Sequence, residues 1–133
     1  MQIEPQRASI LNPPDKFAGG IWLDLIVEPH EPSQRTTVGL VRFPPGARTA
    51  WHSHARGQYV HVVSGIARFG DRNGNIIEVH PGQTLYTPPG EEHWHASAPG
   101  VYMEHYAIVE GDDGADIASW WGEHITDDEY EGR

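Results

Sequence analysis

The sequence predicts an all-β fold, a sandwich or barrel built from many short strands. Short apolar or alternating runs recur along the 133 residues, and turn-forming residues separate them. Gly occurs 15 times and Pro 11 times, spread through the chain rather than collected in one linker. Short strands between frequent turn signals are typical of β-sandwiches and β-barrels.

The predicted strands follow one another along the whole chain. They comprise residues 20–28, 36–43, 58–63, 66–70, 75–80, 84–87 and 101–109. Asn73-Gly74 lies between two of these runs and is a strong signal for a tight hairpin. Proline and glycine mark further turns, at residues 44–46, 81–82 and 88–90. A helical pattern occurs only near the end, around residues 115–125.

Length and composition narrow the class of protein. A chain of 133 residues fits one domain, and we expect residues 1–133 to form a single domain with its own core. There is no cysteine, which excludes disulfides and thiolate chemistry. The formal net charge of −10 argues against binding to nucleic acid or to anionic membranes. No secretory signal or membrane span is evident, so we expect a cytoplasmic protein that acts on a small molecule.

Histidines carry the strongest functional signal. Nine are present, and two pairs have the spacing His-x-His, at His52/His54 and at His93/His95. Side chains two residues apart on a strand point to the same face, so each pair can direct two imidazoles into one cavity. Gln58 shares the parity of His54 if the strand runs unbroken between them. Imidazole suits Mn, Fe, Ni, Cu or Zn, and an amide oxygen is a neutral hard ligand.

The spacing around these histidines resembles two motifs of the cupin family. The matching patterns are Gly46-x5-His52-x-His54-x3-Gln58-x6-Gly65 and Gly82-x5-Pro88-x-Gly90-x2-His93. The resemblance implies a cupin double-stranded β-helix, which is a jelly-roll barrel, followed by a short C-terminal segment. It also implies a metal inside the barrel, with the ligands His52, His54, Gln58 and His93. Two positions depart from the usual pattern, because Gln58 stands in place of Glu and Ala96 in place of Asn.

Longer segments resemble one group of cupins, the small manganese-dependent cupin hydroxynitrile lyases. The similar segments are GARTAWHSH, GQ, PGEEHWHA, MEHYAI and EHITDDEY. Those enzymes use three His and a Gln, and they cleave cyanohydrins to an aldehyde or ketone plus hydrogen cyanide. The resemblance therefore implies a lyase with a divalent metal, with Mn(II) preferred over Fe, Ni or Zn. Because small cupins usually form dimers, we expect a homodimer or a larger homo-oligomer.

The implied ligand set predicts the charge of the metal site. Three neutral imidazoles and a neutral amide leave a divalent cation with its full +2 charge. A glutamate at position 58 would reduce that charge to +1. The uncompensated cation is a stronger Lewis acid toward an oxygen ligand, and it is bound less tightly. A cyanohydrin hydroxyl would lose its proton more readily at such a site, and the departing cyanide needs a general acid nearby.

Two further histidines are candidates for this acid–base catalysis. His105 lies on an apolar strand with the same parity as Met103, and it matches a histidine beside the metal in the lyases. His95 shares the face of His93 and also matches a family histidine. Both can titrate near neutral pH, and the sequence leaves open which one serves the hydroxyl and which one cyanide. Val109 departs from the lyases, in which we expect Gln at this position.

The remaining predictions concern the cavity wall and the tryptophans. The side chain of Arg42 should point outward, which directs its two neighbours inward. The predicted pocket lining is Val41, Phe43, Thr49 and Val60. Trp51 and Trp94 alternate to the face opposite the histidines and are expected to pack rather than to contact substrate. Trp120 and Trp121 are expected to hold the C-terminal segment against the barrel or a partner.

Two other functions would use the same residues. A metal-dependent cupin dioxygenase would activate dioxygen at a three-His site, but the neutral Gln disfavours it because the metal becomes harder to oxidise. A non-enzymatic module that binds metal or a small ligand would keep the site without needing His105. The leading interpretation is a metal-dependent lyase that acts on cyanohydrins.

Overall fold

The computed structural model describes residues 1–111 and 118–133. Within these ranges the chain forms twelve strands and one short helix, so the all-β prediction is confirmed. The elements are β1 (Ile10–Leu11), β2 (Phe17–Ala18), β3 (Trp22–Val27), β4 (Thr36–Phe43), β5 (Arg48–Ser53), β6 (Gln58–Gly65), β7 (Ala67–Asp71), β8 (Ile76–Val79), β9 (Thr84–Thr87), β10 (His93–Ser97), β11 (Met103–Glu110), β12 (Trp120–His124) and α1 (Asp127–Glu131). No helix in the described part of the chain is long and apolar enough to span a membrane.

The strands form two sheets. One has the order β1-β3-β4-β11-β6-β9, and the other has the order β12-β5-β10-β7-β8, with β2 paired to β5. The strand pairings in both sheets are antiparallel. Strands β5 and β6 follow each other in the chain but lie in different sheets, and so do β9 and β10. This crossing between sheets agrees with the jelly-roll barrel that the sequence predicts.

The main core lies between the sheets and follows the alternation of each strand. In β6, Val60 and Val62 are fully buried, whereas Tyr59 and Val63 are exposed. Inward-facing side chains of β4, β7 and β11 join the same cluster, and Met103 is fully buried among them. Each buried aliphatic side chain contributes about 1.5–3 kcal/mol, so these strands are held by burial of one face.

A second cluster covers the outer side of the sheet that contains β5 and β10. Trp51 and Trp94 are almost completely buried there, together with Tyr130 of α1, which confirms the packing predicted for these two tryptophans. The Tyr130 hydroxyl donates to the Ser97 carbonyl at 2.8 Å. A capping box of Thr126 and the Glu129 side chain starts the helix.

The prediction of a helix around residues 115–125 is wrong for the second half of this segment. Residues 120–124 form β12, which pairs with β5 so that Trp121 lies opposite His52. Residues 115–117 lie outside the described residues. The apolar pattern fits either a helix or a strand, and pairing with β5 selects the strand. A local pattern carries no information about such a long-range partner, so the sequence could not predict it. The only helix in the described ranges starts later, at Asp127.

Candidate metal centre

The first pair of histidines lies at the end of β5. His52 is on the strand, and His54 follows it, just before a turn in which the Gly57 amide donates to the His54 carbonyl at 3.1 Å. The shared parity of His54 and Gln58 assumed one unbroken strand. The structure instead has a turn between these two residues. Gln58 opens β6 in the facing sheet, yet it lines the same cavity as His52 and His54.

The second pair lies on β10, which is hydrogen-bonded to β5. His93 is the register partner of His52, and this pairing joins the two sequence motifs. One ring nitrogen from each of four buried histidines lies within 4.8 Å of the others, and these residues are His52, His54, His93 and His95. Histidines 41 residues apart in the chain thus converge because β5 and β10 are adjacent strands.

Backbone carbonyls fix the orientation of two of these imidazoles. His52 Nδ1 lies 3.0 Å from the Ala50 carbonyl, and His93 Nδ1 lies 2.9 Å from the Glu91 carbonyl. A carbonyl can only accept, so each Nδ1 carries the hydrogen and donates it. The Nε2 atoms of His52 and His93 keep their lone pairs, as a metal ligand requires.

Gln58 supplies an oxygen that fits a cation. Its side chain is 4% exposed, and Oε1 has no hydrogen-bond partner among the described residues. A buried carbonyl oxygen without a partner costs about 1–3 kcal/mol, whereas a bound cation would satisfy it. Together with the oriented imidazoles, this oxygen means that the residues present suit a divalent metal ion.

A fifth histidine extends the cluster into the barrel. His105, on β11, is 1% exposed and lies opposite Val41 and Val62 on the neighbouring strands. Its Nε2 lies 3.3 Å from His95 Nδ1, and His95 Nε2 lies 3.0 Å from His93 Nε2. His93, His95 and His105 therefore form a continuous chain of imidazoles that ends among the four clustered histidines.

Burial keeps these imidazoles neutral. Desolvation lowers the pKa of His93 and of His105 to about 4. It also lowers the pKa of His52 and of His95 well below the usual value, and the neighbouring histidines lower it further. At neutral pH all four rings are uncharged, which suits both metal ligation and proton acceptance.

The cluster faces a cavity of about 320 Å³. Its apolar wall includes Leu23, Leu25, Val41, Ala107 and Val109, and its polar part includes His52, His54, Gln58, His95 and His105. The lining combines a large apolar surface with a few convergent polar groups, as small-molecule sites do.

Of the four residues predicted to line the pocket, the structure places one, Val41, in the cavity wall. Phe43 is a core residue whose ring lies 5.4 Å from that of His105, and Val60 is fully buried in the same core. Thr49 lies on β5, and its hydroxyl accepts from the His95 amide at 3.0 Å. Parity identified inward-facing side chains correctly but could not separate those at the cavity from those behind it.

Trp121 is a cavity residue that sequence reasoning missed. Its ring stacks on that of His52, with centroids 4.7 Å apart and planes inclined by 28°. The ring of Phe17, from the short strand β2, packs edge-to-face with the Trp121 ring, with centroids 5.3 Å apart. Both residues line the cavity. The signal that identifies Trp121 is its register with His52, which requires knowledge of the β5–β12 pairing.

Val109 lies directly across from Gln58. The two residues are register partners on β11 and β6, and both line the cavity. Val109 is 3% exposed, so the position at which we expected a polar side chain is an apolar part of the wall.

Comparison with known proteins agrees with this architecture. Residues 39–109 match the Cupin domain family. The chain belongs to the cupin family. Both cupin motifs noted in the sequence lie within this range, and the jelly-roll prediction is confirmed. The (R)-mandelonitrile lyase of Granulicella tundricola is 40% identical over 124 residues, which cover 93% of this cupin and 92% of the relative.

Solved structures resemble this cupin over most of its length. A cupin-like protein from Thermotoga maritima superposes with a TM-score of 0.83 at 31% identity, covering 91% of this chain and 90% of the other. The polyketide cyclase RemF from Streptomyces resistomycificus has a TM-score of 0.66 at 18% identity, covering 87% of this chain and 79% of its own. The second likeness concerns the fold alone. The resemblance to the cupin hydroxynitrile lyases is confirmed by the mandelonitrile lyase relative.

Proposed function

We propose that this cupin is a hydroxynitrile lyase that cleaves or forms cyanohydrins. Its relative at 40% identity is named (R)-mandelonitrile lyase, and the match covers nearly the whole chain. The observation that carries the proposal is the neutral His95–His105 pair, which connects the candidate metal centre to an apolar cavity. We further propose that residues 1–133 act as one domain in a cytoplasmic homodimer or larger homo-oligomer.

The proposed cofactor is a divalent metal, with Mn(II) preferred over Fe, Ni or Zn. The ligands that we assign are His52, His54, Gln58 and His93. When bound, the cation supplies Lewis acidity toward the hydroxyl oxygen of the cyanohydrin. All four ligands are neutral, so none of them reduces the +2 charge. His95 lies close enough to belong to the same cluster, but its contact with His105 favours a role in proton transfer.

The histidine pair balances the protons of the reaction. In cleavage, an imidazole of the pair accepts the hydroxyl proton while the bond between the carbinol carbon and the nitrile carbon breaks. The electron pair of that bond leaves with cyanide, and the hydroxyl oxygen becomes the carbonyl oxygen. The pair returns one proton to cyanide, which gives hydrogen cyanide and leaves both imidazoles neutral. Their low pKa values keep both rings available as bases before the reaction starts.

The apolar wall holds the organic part of the substrate. Leu23, Leu25, Val41 and Ala107 form a surface without charge beside the histidines. An aryl or branched alkyl group packed there excludes water from the polar part of the cavity, where proton transfer takes place.

An assay with racemic mandelonitrile under mildly acidic conditions tests the proposal. We expect the metal-loaded protein to release benzaldehyde above the rate of metal-free protein. His105→Ala should keep its metal and lose at least about tenfold in rate, consistent with loss of a general acid or base. His61→Ala is the matched control, because His61 lies on β6 and its Nδ1 is bonded to Thr84 Oγ1.

Other outcomes distinguish the alternatives. Oxygen consumption with a phenolic or diketone substrate, without benzaldehyde release from mandelonitrile, would support a dioxygenase. Metal binding with neither activity would support a non-enzymatic module. An unchanged rate in His105→Ala would assign His105 to packing alone.

A further inference from the structure

The charge of the cavity lining is unusual for this chain. The sequence contains 19 acidic side chains, but none of them is among the residues that line the cavity in the described part of the chain. Lys16 also lines the cavity, and it is the only lysine of the whole sequence. Among the described lining residues, Lys16 is the only one whose side chain carries a permanent charge.

The backbone holds Lys16 in a fixed place beside β5. Its carbonyl accepts from the Ala50 amide at 2.8 Å, and its amide donates to the Pro13 carbonyl at 3.2 Å. The next residue, Phe17, pairs with Thr49 of β5. Since Pro13 is exposed and Lys16 is half-buried, this segment borders the opening of the cavity.

The ammonium lies close to the candidate metal centre. Lys16 Nζ is 5.3 Å from the centre of the Trp121 ring, and the same ring stacks on His52. One aromatic side chain, that of Trp121, thus separates the lysine from the candidate metal centre. A cation on an aromatic face gains about 0.5–1 kcal/mol at a site open to solvent, which offsets part of the cost of partial burial.

No carboxylate among the described residues forms an ion pair with Lys16. In contrast, Arg42 and Arg72 both pair with carboxylates on the surface of the same molecule. The charge of a half-buried lysine that lines a cavity is best satisfied by a ligand of opposite charge. No acidic side chain among the described lining residues occupies that position, which leaves it to a ligand.

We propose that Lys16 is a specificity-determining residue that recruits a small anion to the opening of the cavity. The inference rests on the proposed function where it identifies cyanide as that anion. In the cleavage direction Lys16 stabilises cyanide as it leaves, and in the addition direction it raises the local concentration of cyanide beside the cavity. The excess of negative charge elsewhere on the chain repels anions, and a local positive site offsets that repulsion.

Binding of thiocyanate to the Mn(II)-loaded protein tests this inference without relying on turnover. Thiocyanate is a linear anion, and acetonitrile is a neutral molecule with the same C≡N group. Paramagnetic relaxation of ¹³C-labelled thiocyanate and acetonitrile reports binding near the ion. We expect Lys16→Met to weaken thiocyanate binding about fivefold, which corresponds to the attraction between two unit charges about 4 Å apart in water. Acetonitrile binding should not change.

Two variants serve as controls. Lys16→Arg keeps the charge and should bind thiocyanate within about twofold of the wild type. Arg133→Met removes one positive charge at the exposed end of the chain, outside the cavity lining, and should bind as the wild type does. Higher ionic strength should weaken thiocyanate binding to the wild type more than to Lys16→Met. Equal binding by wild type and Lys16→Met, or no binding to the wild type, would overturn the inference.

The addition reaction separates this inference from the proposed function. If the lyase is active, Lys16→Met should raise the KM for cyanide about fivefold at a pH alkaline enough to keep cyanide ionised, with little change in the KM for benzaldehyde. An active lyase in which both KM values are unchanged refutes the role of Lys16 and leaves the lyase intact. Charge-dependent thiocyanate binding in a protein without lyase activity supports anion recruitment and refutes the reaction.

Discussion

At the scale of single residues, the chemistry of the site depends on neutral side chains in a buried place. Two imidazoles are oriented by backbone carbonyls, and Gln58 adds an oxygen without charge. A divalent cation held by such groups keeps its charge for the substrate. The cost of burying these polar groups is recovered only when an ion or a ligand satisfies them.

Gln58→Glu tests the charge argument. The added carboxylate should tighten metal binding about tenfold or more through direct attraction, and it should slow the cleavage of mandelonitrile because the cation becomes a weaker Lewis acid. Competition with a chelator measures the affinity, and benzaldehyde release measures the rate. Gln34→Glu, at an exposed position, adds the same charge away from the cavity and should change neither quantity. A faster lyase in Gln58→Glu would show that the charge argument is wrong.

Val109→Gln tests the departure from the lyases. Val109 lies opposite Gln58 in the cavity wall, so an amide there can donate a hydrogen bond to cyanide. We expect the rate of mandelonitrile cleavage to rise several-fold in folded, metal-loaded Val109→Gln. Val109→Leu is the apolar control and should not raise the rate. No gain in a folded, metal-loaded Val109→Gln would show that this position does not handle cyanide.

At the scale of elements, the turn between β5 and β6 determines the site. The chain leaves one sheet after His54 and enters the other at Gln58, with Gly57 at a φ of 77°. A Cβ on Gly57 would lie 2.8 Å from the Thr87 carbonyl oxygen. Only glycine allows this combination of a left-handed conformation and close approach.

Gly57→Ala should therefore destabilise the protein and displace Gln58. We expect a loss of about 2 kcal/mol in the free energy of unfolding, measured by urea denaturation, and a weaker affinity for metal. Gly74→Ala is the matched control, because Gly74 has a φ of 82° but nothing within 4 Å of the added Cβ. If both variants lose the same stability, the close approach to Thr87 is not important.

The sequence was sufficient for most of the strands and for the motif histidines, but not for β1, β2 and β12 or for the pairing of the strands. Alternation identified His52, His93 and the inward face of β4 because these depend on neighbours along one strand. The β5–β12 pairing that brings Trp121 onto His52 depends on residues about seventy positions apart. Local patterns carry no information on such contacts, so Trp121 and Lys16 at the cavity became visible only in the folded structure.

At the scale of the whole molecule, the buried histidines link folding to pH. Their pKa values are lowered in the folded protein, with His93 and His105 at about 4, and return to about 6.5 in the unfolded chain. The unfolded chain therefore binds more protons than the folded protein below pH 6.5. The stability that these groups contribute is complete above that pH and is lost as the pH falls toward 4.

Thermal unfolding of metal-free protein checks this linkage. We expect Tm to fall between pH 6.5 and pH 4, because each buried histidine lowers the free energy of unfolding by up to about 1.4 kcal/mol per pH unit. His105→Leu removes one such group, so its Tm should fall less steeply with pH than that of the wild type. The titration of carboxylates affects both proteins equally and does not contribute to this difference. An identical pH dependence in both proteins would contradict the contribution of His105.

The central claim is that histidines from two separate segments hold one divalent cation inside the barrel. Elemental analysis of purified wild-type protein and His52→Ala, after loading with Mn(II) and removal of the excess, tests it most directly. We expect close to one ion per wild-type chain and a nearly empty, folded variant that keeps the circular dichroism of a β-barrel. Full occupancy in His52→Ala, or no ion in the wild type, would contradict the account.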